Sequence, residues 1–257
     1  MDFKGWWRAV NGERCEPLTV RDAFSRFVLE ASLCRPKTDE VKVRFEQLFR
    51  RYGMPSAIQS DNGAPFASVA ARGGLSSLSA WLVALGIKVI RSRPGCPQDN
   101  GAHERMHRDI SASVQAYPAQ NAHAQQRDLD QWRQEFNQVR PHQALGGRTP
   151  AEVYKPTERR LKMRLRLPTF PPHYRIALVT RAGTISIQNE RYFVSGALAG
   201  LHIGLEPIAA LTWRIWFYEM DLGTLELLSD VSDHSFEIGS SRSMRKKPIK
   251  KAEQLST

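Results

Sequence analysis

No stretch of this chain approaches the roughly 18 consecutive apolar residues that a membrane-spanning helix needs. Its start also lacks the basic-then-apolar order of a signal peptide. Cysteine is scarce, with Cys15, Cys34 and Cys96 far apart and no C-x-x-C pair. That excludes a zinc knuckle and a disulfide scaffold, and leaves reduced, mostly buried thiols. There is no internal repeat. Acid is under-represented, 26 Asp and Glu against 37 Lys and Arg, giving a net charge of +11 and a pI near 9.9. An excess of that size favours a polyanionic partner, because each cation that meets a phosphate releases condensed counterions. These absences describe a cytoplasmic chain with no membrane contact and a nucleic-acid partner.

At 257 residues the chain can bury one sizeable core and a smaller second one. Strand-like runs at 2–10, 17–22 and 26–33 are separated by turn signals, Asn11-Gly12 and Ala23 to Arg26, as in consecutive antiparallel strands. Residues 38–52 carry Val41, Val43, Phe45, Leu48 and Phe49 among charges in a helical pattern, and Gly53 and Pro55 end that helix. A strand around Ala57-Ile58 runs into Asp61, a helix covers 76–85, and a strand covers Ile87 to Ile90. Residues 91–101 form a breaker-rich loop. Polar, helix-favouring sequence follows to Arg140, interrupted at Tyr117-Pro118. Thr149-Pro150-Ala151-Glu152 reads as a capping box for one last short helix. Strands first, then helices alternating with strands, describe a mixed α/β domain with helices on both faces.

The stretch 155–181 is different in kind, with eight basic residues and a single acid, Glu158. Beyond it, short strands with Gly-bearing turns suggest a small barrel, with Trp213 and Trp216 facing its core. The tail beyond 230 carries Arg242, Arg245, Lys246, Lys247, Lys250 and Lys251 and reads as disordered and cationic.

Two chemistries compete for Glu104. Residues 103–107, His-Glu-Arg-Met-His, match the zinc-protease pattern H-E-x-x-H, which would make His103 and His107 ligands on one helical face. That reading lacks a third ligand, has polar Arg108-Asp109 where a buried helix is expected, and explains neither Asp61 nor the charge. In the other reading Asp2 opens the first strand, Asp61 ends a later one, and Glu104 starts the helix after the breaker loop. Phosphodiester chemistry needs an aligned nucleophile and a sink for charge on the leaving oxygen, jobs that two Mg²⁺ ions roughly 3.5–4 Å apart perform. Mg²⁺ prefers oxygen ligands, so a few converging carboxylates suffice. On this reading His103 and His107 are surface side chains beside the site, and Asp22 caps a turn with Ser25-Arg26. Asp99 and Asn100 shape the loop and cap the helix after it.

The motifs follow one another in a particular order: Asp2-Phe-Lys-Gly, Leu18 to Asp22 with Ser25-Arg26, Ser60-Asp-Asn-Gly63 with Pro65-Phe66, and Pro97 to Arg108. Asn137, Arg140 to Leu145, and Thr149-Pro-Ala-Glu152 close the series. Over roughly residues 2–155 this resembles the integrase-type catalytic core of bacterial insertion-sequence DDE transposases, relatives of retroviral integrases. The resemblance implies an RNase H-like mixed five-stranded sheet flanked by helices. It implies a polynucleotidyl transferase that cleaves and joins double-stranded DNA, at element ends and at a target, with Mg²⁺ (Mn²⁺ as a substitute). Asp2, Asp61 and Glu104 would be the catalytic, metal-binding triad, and the working form a homo-oligomer on DNA in the nucleoid.

The expected division is a catalytic core at 1–155, a basic linker at 156–175, an SH3-like DNA-binding barrel at 176–230 and a disordered basic tail at 231–257. Candidate DNA contacts are Asn100, His107 and Arg108 beside the site, and Arg159, Arg160, Lys162 and Arg164 in the linker. Two features depart from the resemblance. The interval from Asp61 to Glu104 exceeds the usual integrase spacing, with the excess around Gly73-Gly74-Leu75-Ser76-Ser77. The chain also starts one residue before Asp2, where such proteins carry a helix-turn-helix region. It therefore reads as a truncated frame, and the alternative function is an inactive remnant that only binds DNA.

Overall fold

In the computed structural model, which describes residues 1–68, 71–93, 101–162, 165 and 167–227, the first half is a layered α/β unit. β1 (Asp2–Phe3), β4 (Pro17–Arg21) and β5 (Val28–Leu33) form an antiparallel ladder in that order. β2 (Trp7–Arg8) and β3 (Arg14–Cys15) continue the first pairing as a hairpin. Between the pairs Phe3–Leu18 and Trp7–Cys15 the leading strand has one residue more than its partner. Gly5, at φ 90°, takes up that bulge, a conformation that costs glycine little. β6 (Ala57–Ser60) and β7 (Lys88–Arg91) form a parallel pair, with Ser60 opposite Arg91. The Met1 nitrogen donates to the Gln59 carbonyl at 2.8 Å and joins the two ladders. The five expected strands are present as a three-plus-two arrangement of mixed sense.

Helices cover both faces. α1 (Thr38–Tyr52) turns Val41, Phe45, Leu48 and Phe49 inward, where they meet Leu18 and Val20 of β4, Ile58 of β6 and Phe66. On the other face α3 (Gly101–Ile110) and α4 (Ala122–Gln138) bury Met106, Ile110, Leu129, Trp132 and Phe136 against Trp7, Val28 and Ala31. Alternation along β4 explains the division, since Leu18 and Val20 point to α1 while Thr19 points to α3. The short α5 (Pro150–Val153) carries the expected capping box between Thr149 and Glu152.

α2 (Ser77–Ala84) has the sequence SLSAWLVA, apolar around nearly its whole circumference, so such a helix must be covered on every side. Leu78, Trp81 and Leu82 enter the core with α1. Ala80 and Ala84, with Leu75 just before the helix, enter a second core built from the C-terminal strands. The two halves therefore share a helix.

The C-terminal half comprises β8 (Arg175–Leu178), β9 (Thr184–Ile187), β10 (Glu190–Phe193), β11 (His202–Ala209), β12 (Thr212–Phe217) and β13 (Met220–Glu226). The closed SH3-like barrel expected from sequence is not found among the described residues. Strands β13-β12-β11-β8 make one four-stranded antiparallel sheet and β9-β10 a separate hairpin, and among the described residues no ladder closes the ring. One face of the sheet, carrying Ile203, Leu205, Ile215 and Phe217, is covered by α2, while on the other face Phe170 occupies the space a side chain at Gly204 would need. Trp213 and Trp216 were expected on the same face, but their odd spacing puts them on opposite faces of β12. Ile215 and Phe217 are fully buried and Trp213 leans on them, while Trp216 donates to the Glu206 carboxylate at 2.8 Å. The linker is also held: Thr157 and Met54 exchange backbone bonds with Tyr52 and Arg159, at 3.0 and 2.7 Å.

Candidate active site on the β1, β6 and α3 carboxylates

The three carboxylates come from neighbouring elements. Asp2 lies on β1, half-buried, opposite Thr19 of β4. Asp61 follows β6 directly, and the residues on either side of it, Ser60 and Asn62 (the latter through its side-chain amide), both bond Ser92. Ser92 donates through its amide to the Ser60 carbonyl at 3.1 Å and accepts from the Asn62 amide at 2.9 Å. Asp61 Oδ1 is buried without a hydrogen-bond partner, a condition that costs free energy unless a cation or water answers it. A Cβ placed on Gly63 would lie 2.8 Å from Asp61 Oδ2, so the Asp-Asn-Gly turn leaves room for that carboxylate and little else. Glu104 is exposed in the first turn of α3.

As placed, no group of three or more His, Cys, Asp and Glu side chains among the described residues could hold a metal ion. The donor set nevertheless suits one: all three groups are hard oxygen ligands, and Asp61 Oδ1 is unanswered. Asp2 and Asp61 both act electrostatically on the same buried Met1 ammonium, whose pKa is lowered to about 6 chiefly by desolvation.

The histidines of the His-Glu-Arg-Met-His stretch are not surface residues as expected. His103 is only 5% exposed, and its Nε2 lies 3.4 Å from the Thr19 carbonyl. His107 Nε2 lies 2.8 Å from Thr19 Oγ1, which also donates to the Asp2 carbonyl at 2.9 Å. Both rings lie on the α3 face that packs on β4, so the helix bearing Glu104 is registered against the strand pair bearing Asp2. Burial holds the His107 pKa down to about 4, with help from Lys4, and that of His103 to about 2, with help from the ammonium, His107 and Arg21.

Both rings are thus neutral in the folded protein at pH values where the histidines of an unfolded chain, near 6.5, already take protons. Stability from this source is complete above pH 6.5 and is lost as pH falls towards 4. For His107 the loss approaches about 3 kcal/mol. Urea unfolding at pH 7.5 and 4.5 checks this, with a smaller difference expected in His107→Gln. Equal pH dependence in the two proteins would refute the assignment.

Among the other candidate contacts, Arg108, Arg160 and Lys162 are exposed. Arg159 is engaged elsewhere: its guanidinium donates to the carbonyls of Pro55, Leu85 and Gly86 at 3.0, 2.6 and 2.9 Å. Asn100, with Asp99 and Cys96, lies outside the described residues, as do Arg164 and the 231–257 tail. The closing sequence motif has structural work. Asn137 bonds both backbone groups of Val28 at 2.8 and 2.9 Å, and Arg140 pairs with Asp109 at 2.6 Å. Asp22 accepts from the Ser25 amide and hydroxyl at 2.7 and 2.6 Å, the turn expected for it. What sequence reasoning missed is the Thr19 hydroxyl, which links α3 to β1. Its only signal was a polar residue between Leu18 and Val20.

Two family models, both described as an integrase core domain, match residues 1–97 and 85–150. Residues 1–150 are thus an integrase core, of the kind encoded by insertion elements. The chain is 31% identical over 145 residues to an uncharacterized 39.2 kDa protein of insertion element IS476 from Xanthomonas euvesicatoria, covering 56% of this chain and 40% of that protein. It is 29% identical over 146 residues to an uncharacterized 31.7 kDa protein of insertion element IS407 from Burkholderia multivorans, covering 55% of this chain and 50% of that protein. The chain therefore spans about half the length, or less, of these relatives. Among solved structures, the catalytic core domain of BIV integrase is similar at 25% identity and a TM-score of 0.43, over 60% of this chain and 91% of that one. No helix among the described residues is long and apolar enough to cross a membrane.

Proposed function

We propose that this chain carries out the DNA cleavage and strand transfer of an insertion-element transposase, with Asp2, Asp61 and Glu104 as its metal-binding carboxylates. The observation that carries this reading is Asp61: a buried carboxylate oxygen without a partner, on a strand end built around it, within an integrase core. Divalent Mg²⁺, or Mn²⁺ in its place, would supply charge neutralisation at the attacking and leaving oxygens. Asp2 on β1, Asp61 at the end of β6 and Glu104, exposed at the start of α3, would hold that ion. In the transfer step a 3′-hydroxyl oxygen bonds to the target phosphorus as the bond to the leaving 3′-oxygen breaks, and the proton passes to solvent. The net charge of +11 supports a DNA partner, and exposed Arg108, Arg160 and Lys162 are the described candidates for phosphate contact. Bringing two element ends together calls for a homo-oligomer on DNA.

The test is a strand-transfer assay in Mg²⁺ with element-end duplexes, comparing the wild type with Asp61→Asn and Glu104→Gln. Both variants are expected to lose on the order of a thousandfold or more in rate, while still shifting DNA in a gel. A wild type as inert as both variants, yet binding DNA, would favour the DNA-binding remnant instead.

A further inference from the structure

The segment Arg72–Gly74, between Asp61 and Glu104, opens an unbroken path of contacts from the C-terminal sheet to the strand end that carries Asp61. Arg72 donates through Nη1 to the carbonyls of Leu222 and Thr224 on β13, at 3.3 and 2.9 Å. Gly73 lets Leu222 approach so closely that a Cβ there would meet its Cδ2 at 2.7 Å. The next carbonyl, Gly74, accepts from Arg91 Nη2 at 2.6 Å. Arg91 stands opposite Ser60 in the parallel pair. Its neighbour Ser92 bonds the residues on both sides of Asp61, donating to the Ser60 carbonyl and accepting from the Asn62 side-chain amide. Each link contacts the next, and the path from the sheet to the strand end runs through Arg72 to Gly74, Arg91 and Ser92.

The geometry points to Arg72 and Arg91 as positioning residues, through which the C-terminal sheet fixes the strand end that carries Asp61. A side-chain brace is suited to this task because Asp61 sits at the frayed end of a two-stranded parallel pair, which by itself has little to hold it. Arginine suits it because one planar guanidinium reaches two carbonyls from a single direction.

The catalytic part of this inference rests on the transposase reading, so the test has one readout that does not. In the full chain, Arg72→Met keeps the length of the side chain and removes both bonds, while Arg72→Lys keeps a donor. Amide hydrogen exchange at Ser92, whose N–H bonds Ser60, is expected to quicken in Arg72→Met and to return towards the wild-type rate in Arg72→Lys, with the melting temperature little changed. In strand transfer, Arg72→Met is expected to lower kcat about 10- to 100-fold without altering the Kd for DNA, and Arg72→Lys to recover most of it. Arg91→Met should match Arg72→Met in both readouts. Unchanged exchange at Ser92 in both methionine variants overturns the brace. Altered exchange with an inert wild type leaves the brace standing and overturns the transposase reading.

Discussion

Replacing Gly63 by valine is expected to cost nearly as much strand-transfer activity as replacing Asp61 itself. The nearest atoms that a Cβ at position 63 would meet all belong to Asp61, the closest being Oδ2 at 2.8 Å. The φ angle of Gly63 is outside the left-handed range, so the backbone tolerates a side chain and the burden falls on the carboxylate. Moving a reacting group by about 1 Å can lower a rate about a hundredfold. Gly63→Val should therefore fall at least that far while keeping its melting temperature and its DNA affinity. Gly63→Ala, with only the Cβ, should lie between Gly63→Val and the wild type. A Gly63→Val protein that transfers strands at the wild-type rate would show that the Asp61 position seen here is not the working one.

Leu75→Ala addresses the shared core. Leu75 precedes α2 in the chain yet packs with Val179, Ile203, Phe217 and Leu222 of the C-terminal strands, 1% exposed. Truncating a fully buried leucine costs about 2–5 kcal/mol, as lost transfer energy and as the cavity left behind. Since α2 also buries its own Leu78, Trp81 and Leu82 in the core on the α1 side, the loss should reach both halves. Calorimetry and denaturant unfolding followed by tryptophan fluorescence should give one transition, moved down as a unit. Two transitions, with only the later residues destabilised, would show that the halves fold separately.

Local order was legible wherever local physics fixes it. The α1 range followed from spacing and from Gly53, and the observed helix is Thr38–Tyr52. The break at Tyr117-Pro118 and the capping box at Thr149 appear where turn and cap chemistry place them. Asp2 and Asp61 were recognisable because motif order places acids at strand ends. The misread features are non-local. The β13 strand, Met220–Glu226, went unread because Gly223 and its polar neighbours mask the alternation. Barrel closure depends on which edges find one another, and short alternating strands cannot specify that. The histidines looked superficial beside Arg105 and Arg108, since nothing nearby in sequence announces that Thr19 lies across from them. Arg159 read as one cation in a basic run, but its partners are 73 to 104 positions away.

The helix enclosed on both flanks also sets where this chain can be divided. The composition shift near residue 155 suggests a seam, but no such cut separates two self-sufficient pieces. The later strands would leave behind Leu75, Ala80 and Ala84, and the earlier half would be left with an oily helix facing water. A chimera that transplants the C-terminal sheet onto a different core has to carry a matching insertion and helix with it. Exchange of parts between relatives is thereby confined to variants in which both sides of α2 change in step.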